Sequence, residues 1–213
     1  MKKYLLICAF WAVCSMAGYA QSVFDRTDNV TLFPEYHEAL IALNNGTYNR
    51  QPLANIFLKR STFVYKKGAD VLEANMQVIK EVRFGERKFV NIGTQLAEVI
   101  DSVGENLLVL VRVINQDGLT RELLNNSTIT NLSITDSQMG VTRLDADPDV
   151  LRYPVDNNYY FIVKGEVILA QDRESKRTVG RKKWNDYDKV VKDPDFRWLN
   201  KDCLMRLLEV FSK

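Results

Sequence analysis

The chain has 213 residues, with 29 Lys and Arg against 27 Asp and Glu, a formal net charge of +2. Nearly balanced charge removes the global electrostatic case for nucleic acid or for an acidic partner. An apolar fraction of 46% with 26% charged residues is that of an ordinary globular protein with a real core, which excludes the fibrous and disordered classes.

Lys2 and Lys3 form a short basic head, and Tyr4 to Val13 is an apolar run of the length of a secretory h-region. A membrane span needs about 20 apolar residues, so this run is too short to be one. Gly18 and Ala20 stand at the small-residue positions that a signal peptidase requires, which places the cut after Ala20 and the product in the periplasm or outside the cell. Cys8 and Cys14 invite a lipoprotein reading, but the bulky Trp11 and Val13 fit a lipid-attachment box poorly. Once residues 1–20 are gone, Cys203 is the sole cysteine, no intramolecular disulfide is possible, and packing must supply the stability.

From Glu35 onward short apolar or alternating segments are broken by turn residues, the signature of strands. His37 to Leu43 alternates Ala39, Ile41 and Leu43 ahead of Asn44-Asn45-Gly46, whose residues tolerate positive φ, although a helix over Pro34 to Leu43 competes. Asn55 to Arg60 and Thr62 to Lys66 read as successive strands, closed by Lys67-Gly68, with Val71-Leu72 opening the next. Val78 to Phe84 and Lys88 to Ile92 form a hairpin around Gly85-Glu86. Gln95 to Asp101 and Asn106 to Ile114 follow across Val103-Gly104-Glu105. Leu107 to Val111 is apolar at every position, as in a strand covered on both faces.

Between Asn115 and Asn158 the text turns polar and rich in Asn, Ser and Thr, which predicts a long loop at about 115–158. Tyr159 to Val163 and Glu166 to Ala170 then return to strand patterning around Gly165. In Thr178 to Lys192 the period changes: Trp184, Tyr187 and Val191 share one helical stripe, and Asp193-Pro194 ends it. Asn200 can cap a further helix with Leu204, Leu207, Leu208 and Phe211 on its apolar face. The expected fold class is α+β, mainly β: an antiparallel meander, open or partly closed into a barrel, over 21–170, with a helical tail at 171–213 packed on the sheet.

Candidate chemistry is sparse. His37 is the only imidazole available to a Ser/His/Asp or Cys/His site, and no Gly-x-Ser-x-Gly elbow presents a serine. Asp145, Asp147 and Asp149 supply oxygens at alternate positions, as calcium prefers. Yet Val150 stands where the sharp turn needs glycine, and no glutamate closes the loop, so an acidic surface loop is the reading. Arg173, Lys176, Arg177, Arg181, Lys182 and Lys183 gather positive charge beside Trp184 and Tyr187, a pattern suited to anionic headgroups or glycans. Asp172, Glu174, Asp186 and Asp188 dilute it toward an ordinary solvated face. Asn45, Asn126 and Asn131 begin glycosylation-type tripeptides. No catalytic residue, cofactor or resident metal is expected.

The blocks Asn55 to Tyr65 (NIFLKRSTFVY) and Glu81 to Phe89 (EVRFGERKF), the strand Leu107 to Arg112, the Tyr159-Tyr160 strand opening and the closing helix together resemble a family of uncharacterised secreted proteins of Bacteroidetes-type bacteria. The resemblance covers about three quarters of the chain beyond the leader and implies a secreted β-rich protein with no assigned reaction, so it carries no functional residue across. The functional expectation is an exported, non-enzymatic binding or scaffolding protein of the cell envelope, its partner an envelope protein or glycan. Two alternatives stand beside it: a hydrolase acting through carboxylates such as Asp145, Asp147 or Glu166, and a carrier of a lipidic ligand.

Overall fold

The structure is a computed structural model that describes residues 25–125 and 152–212, the side chains of 122–125 excepted. It is mainly antiparallel β, one curled sheet forming an open half-barrel with helices at its C-terminal side. The strands are β1 (Asp25–Thr27), β2 (His37–Leu43), β3 (Tyr48–Phe57), β4 (Thr62–Lys67), β5 (Asp70–Glu73), β6 (Ile79–Phe84), β7 (Arg87–Asn91), β8 (Leu96–Val103), β9 (Asn106–Ile114), β10 (Tyr153–Val163) and β11 (Glu166–Leu169). The helices are α1 (Gln116–Asn125), α2 (Asp172–Val179), α3 (Trp184–Val191) and α4 (Lys201–Ser212). In space the strands run β1-β10-β9-β8-β7-β6-β2-β3-β4-β5, with β11 beside the second half of β10.

The meander and its hairpins follow the alternation in the sequence, with three differences. β3 begins at Tyr48 and ends at Phe57, seven residues before the predicted start, because its first half carries polar, exposed residues that alternation does not flag. The loop predicted at 115–158 is ordered at both ends: Asn115 accepts the Gly118 amide on its side-chain oxygen at 2.6 Å to start α1, and β10 is already paired at Tyr153. The helix predicted over Thr178 to Lys192 starts later, as α3 at Trp184, and an unpredicted helix, α2, precedes it and ends at Val179 before Gly180, whose φ of 76° and ψ of 153° suit only glycine.

Side chains alternate across each strand, which gives the sheet an inner and an outer face. The inner face is filled from two directions. On one side the β2–β4 limb curls over, packing Ala39, Ile41, Ile56, Phe63, Val82, Phe84 and Phe89 together. On the other, the tail lays Tyr187, Leu204, Leu207, Leu208 and Phe211 over Leu108, Phe161 and Val163. Leu108, Val109, Leu110 and Val111 are all buried, so β9 is covered on both faces, as its unbroken apolar run predicts.

Non-local ties hold the curl. The Leu58 carbonyl accepts the Ile114 amide at 2.9 Å, and the Ser61 carbonyl accepts the Leu96 amide at 2.7 Å. The chain before β2 acts as a strap: β1 pairs with the start of β10, and a few residues on Leu32 donates to Ile56 while Val30 accepts from Leu58, both at the end of β3. Asn55, fully buried, locks the corner of that strap. Its side-chain oxygen accepts from the amides of Phe33 and Ile56, and its NH2 donates to the carbonyls of Phe33 and Glu35, all within 2.8 to 3.1 Å.

Candidate functional site

The β3–β4 turn is the organising element. Ser61 holds φ at +54°, a left-handed conformation that a serine adopts at a cost, and its hydroxyl donates to the Leu96 carbonyl at 2.7 Å to hold it there. This turn separates two polar regions, one inside the curl and one outside it.

Inside, Arg87, Glu98 and Arg112 form a charged girdle between the two apolar clusters. Arg87 grips Glu98 with two parallel bonds, from Nε at 2.7 Å and from a terminal nitrogen at 2.9 Å, and Arg112 stands 3.8 Å from the same carboxylate. The fork-to-carboxylate geometry is the strongest form of such a pair. The Arg87 guanidinium also lies over the rings of Phe33 and Phe89, at 4.8 and 5.4 Å from their centroids. With both oxygens engaged by Arg87, Glu98 is built as an anchor. The adjoining void, lined by Leu32, Leu58, Leu96 and Leu110 among others, measures only about 10 Å³.

Outside, an open cleft of about 500 Å³ lies between the β3–β4 turn, the residues following β5 and the β7–β8 turn. Lys59 and Arg60 stand on one wall, and Glu73, paired with Arg60, faces them. Thr62, Asn75, Gln77, Thr94 and Gln95 add hydroxyl and amide groups, of which Gln95 donates to the Arg60 carbonyl at 3.4 Å. The Thr62 hydroxyl is buried without a partner among the described residues. Amides and hydroxyls both donate and accept, so this lining is suited to a polar, multiply hydrogen-bonding ligand or partner loop.

The residues singled out in the sequence end up elsewhere. Asp145, Asp147 and Asp149 lie outside the described residues, and among the described residues no group of three or more His, Cys, Asp or Glu is placed to hold a metal. His37 sits at the start of β2 with its ring edge-on to Phe33 at 5.2 Å. Cys203 is buried in the tail cluster, as a small apolar filler. Asp156 accepts from the Asn115 side chain at 3.0 Å, and Glu166 is exposed on β11. The cleft residues escaped sequence reading because they come from three turns, whose union appears only when the sheet curls.

In the tail, Tyr187 is buried and its hydroxyl donates to Asp172 at its backbone and side-chain oxygens, at 2.9 and 3.0 Å. Burial first, and that bond second, push its phenol well above the usual tyrosine range. Asp188 is held below the usual carboxylate range by hydrogen bonds from Lys176 and then Lys192. Asp193 is lowered in the same way by Arg206, and Asp101 by Lys201, which ties β8 to α4.

The architecture so defined is an antiparallel half-barrel with a helical tail and a polar cleft at one rim. No protein-family model, no curated protein and no solved structure matches the chain. Among the described residues, no helix is long and apolar enough to cross a membrane.

Proposed function

We propose that the chain is exported with cleavage after Ala20, belongs with the secreted family it resembles, and serves in the cell envelope as a non-catalytic binding or scaffolding protein. In this reading the cleft beside the β3–β4 turn is the contact surface. The observation that carries the reading is the contrast between the two sides of that turn: the inner void of about 10 Å³ is too small for any ligand, whereas the outer cleft of about 500 Å³ has the size of a recognition site.

The test is crosslinking in the intact envelope with the exported protein as bait, beside a Q77A/T94A/Q95A variant. Recovery of one stoichiometric envelope protein that the variant fails to capture is the expected result. Capture of lipid or glycan alone, or equal capture by the variant, overturns the scaffold reading. The same preparation reports on export: its N-terminus begins at Gln21 if the leader is removed as proposed, and an intact leader in the cytosolic fraction contradicts it.

A further inference from the structure

The basic stretch of the tail reads as diluted in sequence, because four acidic residues interrupt it. The structure pairs two of the four, Asp186 and Asp188, with lysines. Asp172 is taken up by the Tyr187 hydroxyl, Asp188 by Lys176 and Lys192, and Asp186 lies 3.6 Å from Lys189. Asp172 and Glu174 have no ion pair among the described residues. Arg173, Arg177, Arg181 and Lys182 are all exposed and have no ion pair or hydrogen bond among the described residues.

Two of these cations share a helix face, and two follow in the next turn. α2 buries Ser175 and Val179, and at 3.6 residues per turn Arg173 and Arg177 project about 160° and about 200° round from Ser175, directly away from the core. Gly180 then turns the chain into the exposed Arg181 and Lys182. Trp184 opens α3, with the Lys176 ammonium of α2 5.7 Å from its ring centroid. The indole is 41% exposed. An indole left half in water amid unpaired cations matches the headgroup layer of a membrane, where an amphipathic ring and positive charges are stabilised together. A polyanionic glycan would meet the same cations, and the vesicle and dextran sulfate arms below separate the two.

We infer that the α2–α3 corner is a peripheral docking surface for an anionic lipid bilayer, with Arg173, Arg177, Arg181 and Lys182 meeting headgroups and Trp184 entering the interface. The inference does not depend on the cleft. The test uses the full chain carrying W11F and W198F, so that Trp184 is its only indole. Vesicles of one part phosphatidylglycerol to two parts phosphatidylcholine should bind it and shift Trp184 emission to the blue, and pure phosphatidylcholine should do so far less. Raising ionic strength from about 0.05 M to about 0.5 M should release it.

Each cation near such a surface is worth about fivefold in partition, so R173Q/R177Q should weaken binding more than tenfold with an unchanged unfolding midpoint. W184F should weaken it while keeping the salt dependence. Three results overturn the inference: Trp184 emission unmoved at saturating vesicle, R173Q/R177Q binding like the parent, which assigns adsorption to the apolar run at 4–13, or dextran sulfate displacing the vesicles while itself binding more tightly, which assigns the cations to a polyanionic glycan.

Discussion

Asn55 shows how much of this fold rests on single polar side chains. All of its hydrogen-bonding capacity is used to hold the strap against β3, so replacement by alanine removes the partner of four backbone groups in a buried to part-buried corner. An unmet buried group costs about 1 to 3 kcal/mol, and N55A should lose about 3 kcal/mol or more in urea unfolding, whereas N45A in the exposed β2–β3 turn should lose under about 1 kcal/mol. Nothing in the sequence marks Asn55 out. Within NIFLKR it reads as one polar residue of a strand, because the backbone groups it serves lie some 20 positions upstream. Ser61 is similar: a left-handed serine is visible only once its partner Leu96, distant in the chain, is in place.

At the scale of elements, strands were legible where one face is buried and the alternation is clean, as in β2 and β6, or where an unbroken apolar run marks two covered faces, as in β9. α4 was legible from its apolar stripe and from Asn200, whose side-chain oxygen accepts the Cys203 amide at 3.1 Å. α2 was not, because it is polar almost all round and buries only Ser175 and Val179. The Lys176 bridge to Asp188 and the Tyr187 bond to Asp172 tie it to α3, and with two further bridges in the tail they set a pH limit. Asp101, Asp188 and Asp193 have folded values held below the usual one by Lys201, by Lys176 with Lys192, and by Arg206. A depressed folded pKa adds stability above the unfolded value, about 3.9 for aspartate, and that stability disappears as pH falls through the folded value. The melting temperature should therefore be flat with respect to these groups from about pH 5 to 8 and fall below about pH 4. A D188N/D193N variant should lie lower than the parent at neutral pH and approach it in acid. An acid limb equally steep in the variant contradicts the assignment.

For the whole molecule, the meander with a helical tail was readable because each hairpin announces itself locally, and the curl was not, because its ties join residues far apart. The cleft shares that limit, being assembled from turns at 59–62, 73–77 and 94–95. The ties should act together. L32P removes the amide that Leu32 gives to Ile56, and proline has none to offer in return. With the strap loosened, the Ile114 and Leu96 amides that close the curl should exchange with solvent at least about tenfold faster, while amides of α4 keep their protection. Uniform acceleration across the chain would mean that strap, sheet and tail open as one unit.

The strap also orders assembly in time. Asp25 meets Asn157 across 132 positions, so a chain delivered N-terminus first holds its opening segment idle until the last long strand arrives. Closing so wide a loop is slow, and in the interval the edges of β3 and β10 that the strap will cover stand unpaired, open to capture by another strand. Maturation of this protein thus ends where its chain begins.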